Sequence, residues 1–209
     1  MQDPLTKQEL SLIRRLNTPA KIQDFLDSIP FNYELHGETC MSPRRVIRER
    51  KAHCIEGAMF AALVLRHHGY KPKIMSFKVA RGDIDHTVTI FKEHGYYGAI
   101  SKTNHAVLRY RDPVYTTPRE LAMSYFHEYF INGTGKKTML GYSPLVDLMK
   151  FGHTWMTAEK DLWDIAEYIY TMRHHPITNK KVLYKRASLV ERKAADILEW
   201  STDEKKQYV

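Results

Sequence analysis

The stretch Cys54-Ile-Glu-Gly-Ala-Met-Phe-Ala-Ala-Leu-Val-Leu-Arg-His-His68-Gly69 decides the fold. It is apolar nearly all round and rich in alanine, so it is expected to form a central, buried helix. Gly69 stands at the C′ position where such a helix closes. Beyond it the hydrophobic period changes from a helical one to two. Met75, Phe77 and Val79 fall on one face of a strand. Gly82-Asp83 marks a turn, and His86, Val88 and Ile90 then alternate with Thr87, Thr89 and Phe91. Glu93-His94-Gly95 reads as a hairpin turn into a strand from Tyr96 to Ser101. Leu108, Tyr110 and Asp112 form the next alternating row, and Pro113 limits further pairing.

Outside this core the chain reads as helices with cap signals. Thr6-Lys7-Gln8-Glu9 and Thr117-Pro118-Arg119-Glu120 have the form of capping boxes. Thr18-Pro19 and Ser42-Pro43 place a cap before a proline at the first helical position. Ser143-Pro144 predicts a short helix to about Phe151, and Asp161 to Met172 an amphipathic one. Ser188 to Glu191 caps a last helix with Ala194, Ile197 and Leu198 inward, and the charged tail from Ser201 is expected to fray. Helices, then a short antiparallel sheet, then helices define an α+β chain. Residues 1–42 are expected as a helical segment packed on the core, 43–131 as the core, and 132–209 as a helical extension of the same domain.

The formal net charge of +8 raises nucleic acid as a partner. The densest basic run, Pro43 to Lys51, has no helix-turn-helix, zinc-finger or RNP pattern beside it, and a solvated face explains it better. The N-terminus is polar, no apolar run is long enough to span a bilayer, and two cysteines make no disulfide framework. A cytoplasmic protein with no membrane association is expected. Its eleven histidines show no zinc spacing, and Gly133-Thr-Gly135-Lys-Lys137 lacks the spacing of a phosphate loop. No metal or cofactor is expected. Tyr125, Phe126, Tyr129 and Phe130 read as core and groove wall.

Cys54 opens the buried helix, where free N–H groups and the helix dipole favour a thiolate. Arg48, Arg50, Lys51 and His53 precede it, and His86 follows on a strand 32 positions later (86 − 54). A lone cysteine on an apolar helix is usually inert packing, and a lone inward histidine usually a satisfied core residue. Cysteine at a helix start followed by histidine on a strand favours a nucleophile and its base.

Lys51 to Pro72 and Asp85-His86-Thr-Val-Thr-Ile-Phe91 resemble the core of the transglutaminase-like superfamily of papain-fold cysteine enzymes, over roughly residues 43–115. The resemblance implies that Cys54 is the nucleophile and His86 the general base and acid. It also implies an aspartate at the end of the next strand. That place falls near Ser101 here. Asp112, the acid ending the apolar row one strand later, is the first choice for the third residue, Asn104 the second and Ser101 the third. The expected function is thiol-dependent acyl transfer, hydrolysing or transamidating an amide, peptide or isopeptide bond in a protein or peptide substrate. The other reading is an inactive transglutaminase-like binding module whose basic surface meets an acidic protein or nucleic acid. Acyl acceptor and oligomeric state are open at this level.

Overall fold

Local chemistry starts most of the helices. A computed structural model describes residues 5–105, 107–177 and 186–195. Thr6 accepts from Glu9 N–H while Glu9 reaches back to Thr6 N–H, and α1 runs Lys7–Arg15. Thr18 caps α2 (Pro19–Ser28) and Ser42 caps α3 (Pro43–Glu49), each with proline at the first position. The quoted stretch forms α4 (Cys54–His67), buried from Ile55 to Leu65. Gly69, at φ +84°, closes it: Tyr70 N–H bonds Leu65 O at 3.1 Å and Gly69 N–H bonds Arg66 O at 3.0 Å. This satisfies carbonyls that the helix end leaves free and needs a left-handed residue.

Strands β1 (Lys73–Val79), β2 (His86–Glu93) and β3 (Tyr96–Ile100) form an antiparallel meander. With β4 (Arg111–Tyr115), β5 (Met139–Tyr142) and β6 (His175–Pro176), the described residues contain a six-stranded sheet, all antiparallel, in the order β4-β3-β2-β1-β5-β6. One face carries Ile74, Phe91 and Ile100 against α1–α4. The other carries Met75, Phe77, Val88 and Ile90 against α5 (Pro118–Phe126), which Thr117 and Glu120 cap as a box. The architecture is α+β.

Three expectations need correction. The row Leu108-Tyr110-Asp112 is not a strand: the chain bends there, and β4 is Arg111–Tyr115, running through Pro113. Proline is tolerated because β4 is an edge strand, with an irregular register opposite Tyr97 and Ala99. Ser143-Pro144 starts no helix. Met139–Tyr142 is β5, paired with β1, and Asp147 caps a short 3₁₀ turn at Leu148–Phe151 instead. The part after residue 131 is thus not purely helical. It adds β5 and β6 (His175–Pro176) to the sheet, besides α6 (Trp163–Thr171) and α7 (Leu189–Ala194). Ser188 does cap α7, but α7 buries no side chain, and Ile197, Leu198 and the tail lie outside the described residues.

Candidate active site

Cys54 is the first residue of α4, and His53 is its N-cap. Cys54 is half-buried as a residue and lines a pocket of about 150 Å³ with His86, Asn104, Leu108, Tyr129 and Phe130. A wider groove of about 660 Å³ lies by Gly69, Tyr70 and Lys92, at the other end of α4. Fourteen helical residues put it about 20 Å from the thiol, so it takes no part in that chemistry.

His86 is buried at the start of β2 and shares the pocket with Cys54, close enough to lower the thiol. Its ring Nε2 lies 2.7 Å from Ser101 Oγ. Ser101 Oγ donates to Leu108 O, also at 2.7 Å, so it can only accept from His86 Nε2–H. That fixes the tautomer and leaves Nδ1 as the ring atom facing sulfur. Register explains the pairing. Thr89 stands opposite Ile100 and Ile90 opposite Ala99. Continued by one residue, Ser101 lies beside Val88, on the same sheet face as His86 and one diagonal step from it. The Gln23 side chain then pins Ser101: its Nε2 donates to Ser101 O at 2.8 Å and its Oε1 accepts from Ser101 N–H at 3.0 Å.

Ser101, third in order from the sequence, therefore holds the ring. Asp112 does not: it is exposed on the edge strand. The arginines beside it are engaged elsewhere, Arg109 with Asp27 and Arg111 with Glu128. Asn104 is buried in the pocket wall, while the Nε2 it would have held belongs to Ser101.

Next to Cys54, at the N-cap of α4, stands His53. Its Nε2 lies 2.9 Å from Thr39 O and 3.3 Å from Glu56 Oε1. Glu56 is fully buried and fully bonded. It accepts from Thr39 Oγ1 at 2.7 Å, Met41 N–H and His53 N–H at 2.9 Å each, and Asn32 Nδ2 at 3.2 Å. Burial pushes this carboxyl up, but these bonds and the His53 charge outweigh it and hold it at about 2. Burial likewise opposes a charge on His53, and bonds with Cys54 and Glu56 overcome it, raising the ring to about 11. For Cys54 the balance runs the same way. Burial raises the thiol, while hydrogen bonds and charge from His53 and His86 bring it down to about 5. The direction of this balance favours the thiolate.

Tyr170, from α6, completes the surroundings. Its hydroxyl contacts Cys54 and lies 3.2 Å from Thr87 Oγ1. Burial, and then the nearby thiolate, keep it protonated, so it is a donor. The sequence carries no local signal for it, since it lies 116 positions beyond Cys54 (170 − 54). Cys40 differs from Cys54 in every respect. It is buried, points its sulfur at Leu162 O at 3.4 Å, and burial drives its thiol far up.

The basic run before α4 is largely neutralised. Arg44 pairs with Glu9, Arg45 with Glu49 and Asp161, and Arg48 with Glu159. Among the described residues no cluster of three His, Cys, Asp or Glu side chains converges as a metal site, and no helix is long and apolar enough to cross a membrane. No known family model matches the chain, and comparison with curated proteins gave no match.

Proposed function

We propose that this chain is a thiol acyltransferase or hydrolase of the transglutaminase-like kind, with Cys54 as nucleophile and His86 as base and acid. The observation that carries the reading is that Cys54 and His86 line one pocket while His86 is held through Ser101 to Leu108 O, an arrangement that lowers the thiol. Such an arrangement supplies each proton transfer that acyl exchange needs. The thiolate adds to the carbonyl carbon of an amide or ester. The oxyanion takes the free Cys54 N–H at the first turn of α4. His86 Nδ1–H protonates the leaving amine or alkoxide as its bond to carbon breaks, which leaves a Cys54 thioester. Neutral His86 then removes a proton from water or an incoming amine, that nucleophile displaces sulfur, and the thiolate–imidazolium pair returns. Ser101 keeps Nε2 protonated throughout.

The core of this reading is a papain-like arrangement: a cysteine opens the buried helix, a histidine opens a following strand, and a hydrogen-bond acceptor ends the next strand. Here the acceptor is a neutral hydroxyl, where the resemblance implies a carboxylate. The binding-module alternative gains little from the basic run, because three of its four arginines, Arg44, Arg45 and Arg48, already hold acids and Arg50 lies over the Phe25 ring. Iodoacetamide labelling with peptide mapping, joined to turnover of an activated ester and a glutamine-containing peptide, tests the proposal. Cys54 is expected to label much faster than Cys40 at neutral pH, and turnover should vanish in Cys54→Ala and His86→Ala. Slow labelling of Cys54 together with no thiol-dependent turnover would turn the reading to the binding module.

A further inference from the structure

We propose that His53 is a second catalytic histidine: a fixed cation, seated on Glu56, that holds the Cys54 thiolate so that His86 is free to carry protons. The inference rests on the reading of Cys54 as nucleophile and goes beyond it.

The geometry starts with acceptors. His53 Nε2 faces Thr39 O at 2.9 Å, Glu56 Oε1 at 3.3 Å and Glu34 Oε1 at 3.6 Å. With oxygens alone around it, Nε2 carries hydrogen in every state. His53 is the N-cap of α4, so its ring sits at the first turn beside Cys54, and each of the two groups favours the charged form of the other. Glu56 is an ion with no exposure, and its neutral partners are the Thr39, Met41, His53 and Asn32 donors. A buried carboxylate of this kind demands a cation, and the His53 ring lies against it. The groups facing the centre are thus Glu34 and Glu56 on the His53 side, and His86, Tyr129, Tyr170 and Cys40 around the sulfur.

The order Glu56, His53, Cys54 alternates minus, plus, minus, so each charge in this poorly solvated site has an opposite neighbour, and His86 closes the row. This arrangement also accounts for the neutral third residue. A carboxylate behind His86 would stabilise its imidazolium, whereas Ser101 leaves that ring ready to give up its proton. The negative charge sits instead behind His53, where it makes a lasting cation.

The test reads the thiol and not turnover, so it answers even if no acyl substrate is found. Cys54 alkylation by iodoacetamide is followed against pH in the native chain, His53→Gln and His86→Ala. His53→Gln should move the half-point up by about 1–3 pH units, the size expected for losing an adjacent charge, and His86→Ala should move it less. The reverse order would overturn the proposal. A Cys54 that alkylates as an ordinary thiol in the native chain would overturn both this inference and the nucleophile reading. A thiolate insensitive to His53→Gln would overturn this inference alone. Ring-nitrogen NMR of the unmutated protein needs no variant to fold. His53 should keep both ring protons above neutral pH, and alkylating Cys54 should lower the pH at which it loses one. A neutral His53 tautomer at neutral pH in the unmodified protein would refute the assignment.

Discussion

Replacing Ser101 with alanine isolates the link between His86 and the fold. The hydroxyl is fully buried, accepts from His86 Nε2–H at 2.7 Å and donates to Leu108 O at 2.7 Å. Alanine deletes both bonds and strands one buried donor and one buried acceptor. Each stranded partner costs about 1–3 kcal/mol, so the fold should lose about 2–6 kcal/mol. That is a large share of the about 5–15 kcal/mol by which a domain is stable, so the folded fraction is measured before the rate. The kinetic effect should be smaller than that of losing a triad carboxylate, because serine contributes orientation and tautomer but no charge. Taking about 1–2 kcal/mol for that orientation, kcat should fall by about 5- to 30-fold with little change in KM. Urea titration gives the stability. Hydrolysis of an activated ester, normalised to alkylatable Cys54 and run well below the melting temperature, gives the rate. Asp112→Asn, on the exposed edge strand, is the control and should stay within about twofold, the usual range for surface changes. A Ser101→Ala rate within twofold of the native chain, or a tenfold loss in Asp112→Asn, would refute the assignment of the third residue.

Tyr170→Phe removes a donor to the thiolate without charge change; alkylation of Cys54 at the acid end of its titration should slow by about 3- to 10-fold, the worth of one hydrogen bond, while alkylation at high pH stays as it was. Gly57→Ala places a methyl 2.5 Å from Lys102 Cβ, in a fully buried contact, and should destabilise the chain by about 1–3 kcal/mol in urea titration. Acid unfolding should report Glu56. Its folded value is depressed from 4.5 to about 2, so its contribution, about 3 kcal/mol, is full above 4.5 and is lost as pH falls toward 2. His53 has the opposite sign. Raised from 6.5 to about 11, it stabilises fully below 6.5 and its contribution fades as pH rises through 11. Stability measured against pH in Glu56→Gln should lose the acid limb assigned to Glu56, and an unchanged acid limb would count against a buried ion at that position.

The sequence by itself determined the elements whose causes are local. Caps at Thr6, Thr18, Ser42, Thr117 and Ser188 act on N–H groups three residues away, so spacing alone exposes them. The apolar run closed by Gly69 declares a buried helix, and period-two alternation declares the first three strands. Cys54 and His86 stood out because each is a reactive polar group on an apolar element. What the tertiary structure decided was partnership. The row Leu108-Tyr110-Asp112 alternates like a strand, yet Arg111 Nη1 binds the carbonyls of Val107 and Tyr110, a bend holds Leu108 O under Ser101, and the strand starts only at Arg111. Choosing Ser101 over Asp112 needed the register between β2 and β3, which no single strand contains. Gln23, Tyr170 and Thr39 reach the site from far along the chain, and nothing near them in sequence records it. The same holds for charge. His53 and Glu56 are three residues apart, but the burial that makes Glu56 an obligatory partner comes from Asn32, Thr39 and Met41 folding over the first turn of α4, and a pKa follows desolvation and distance in space.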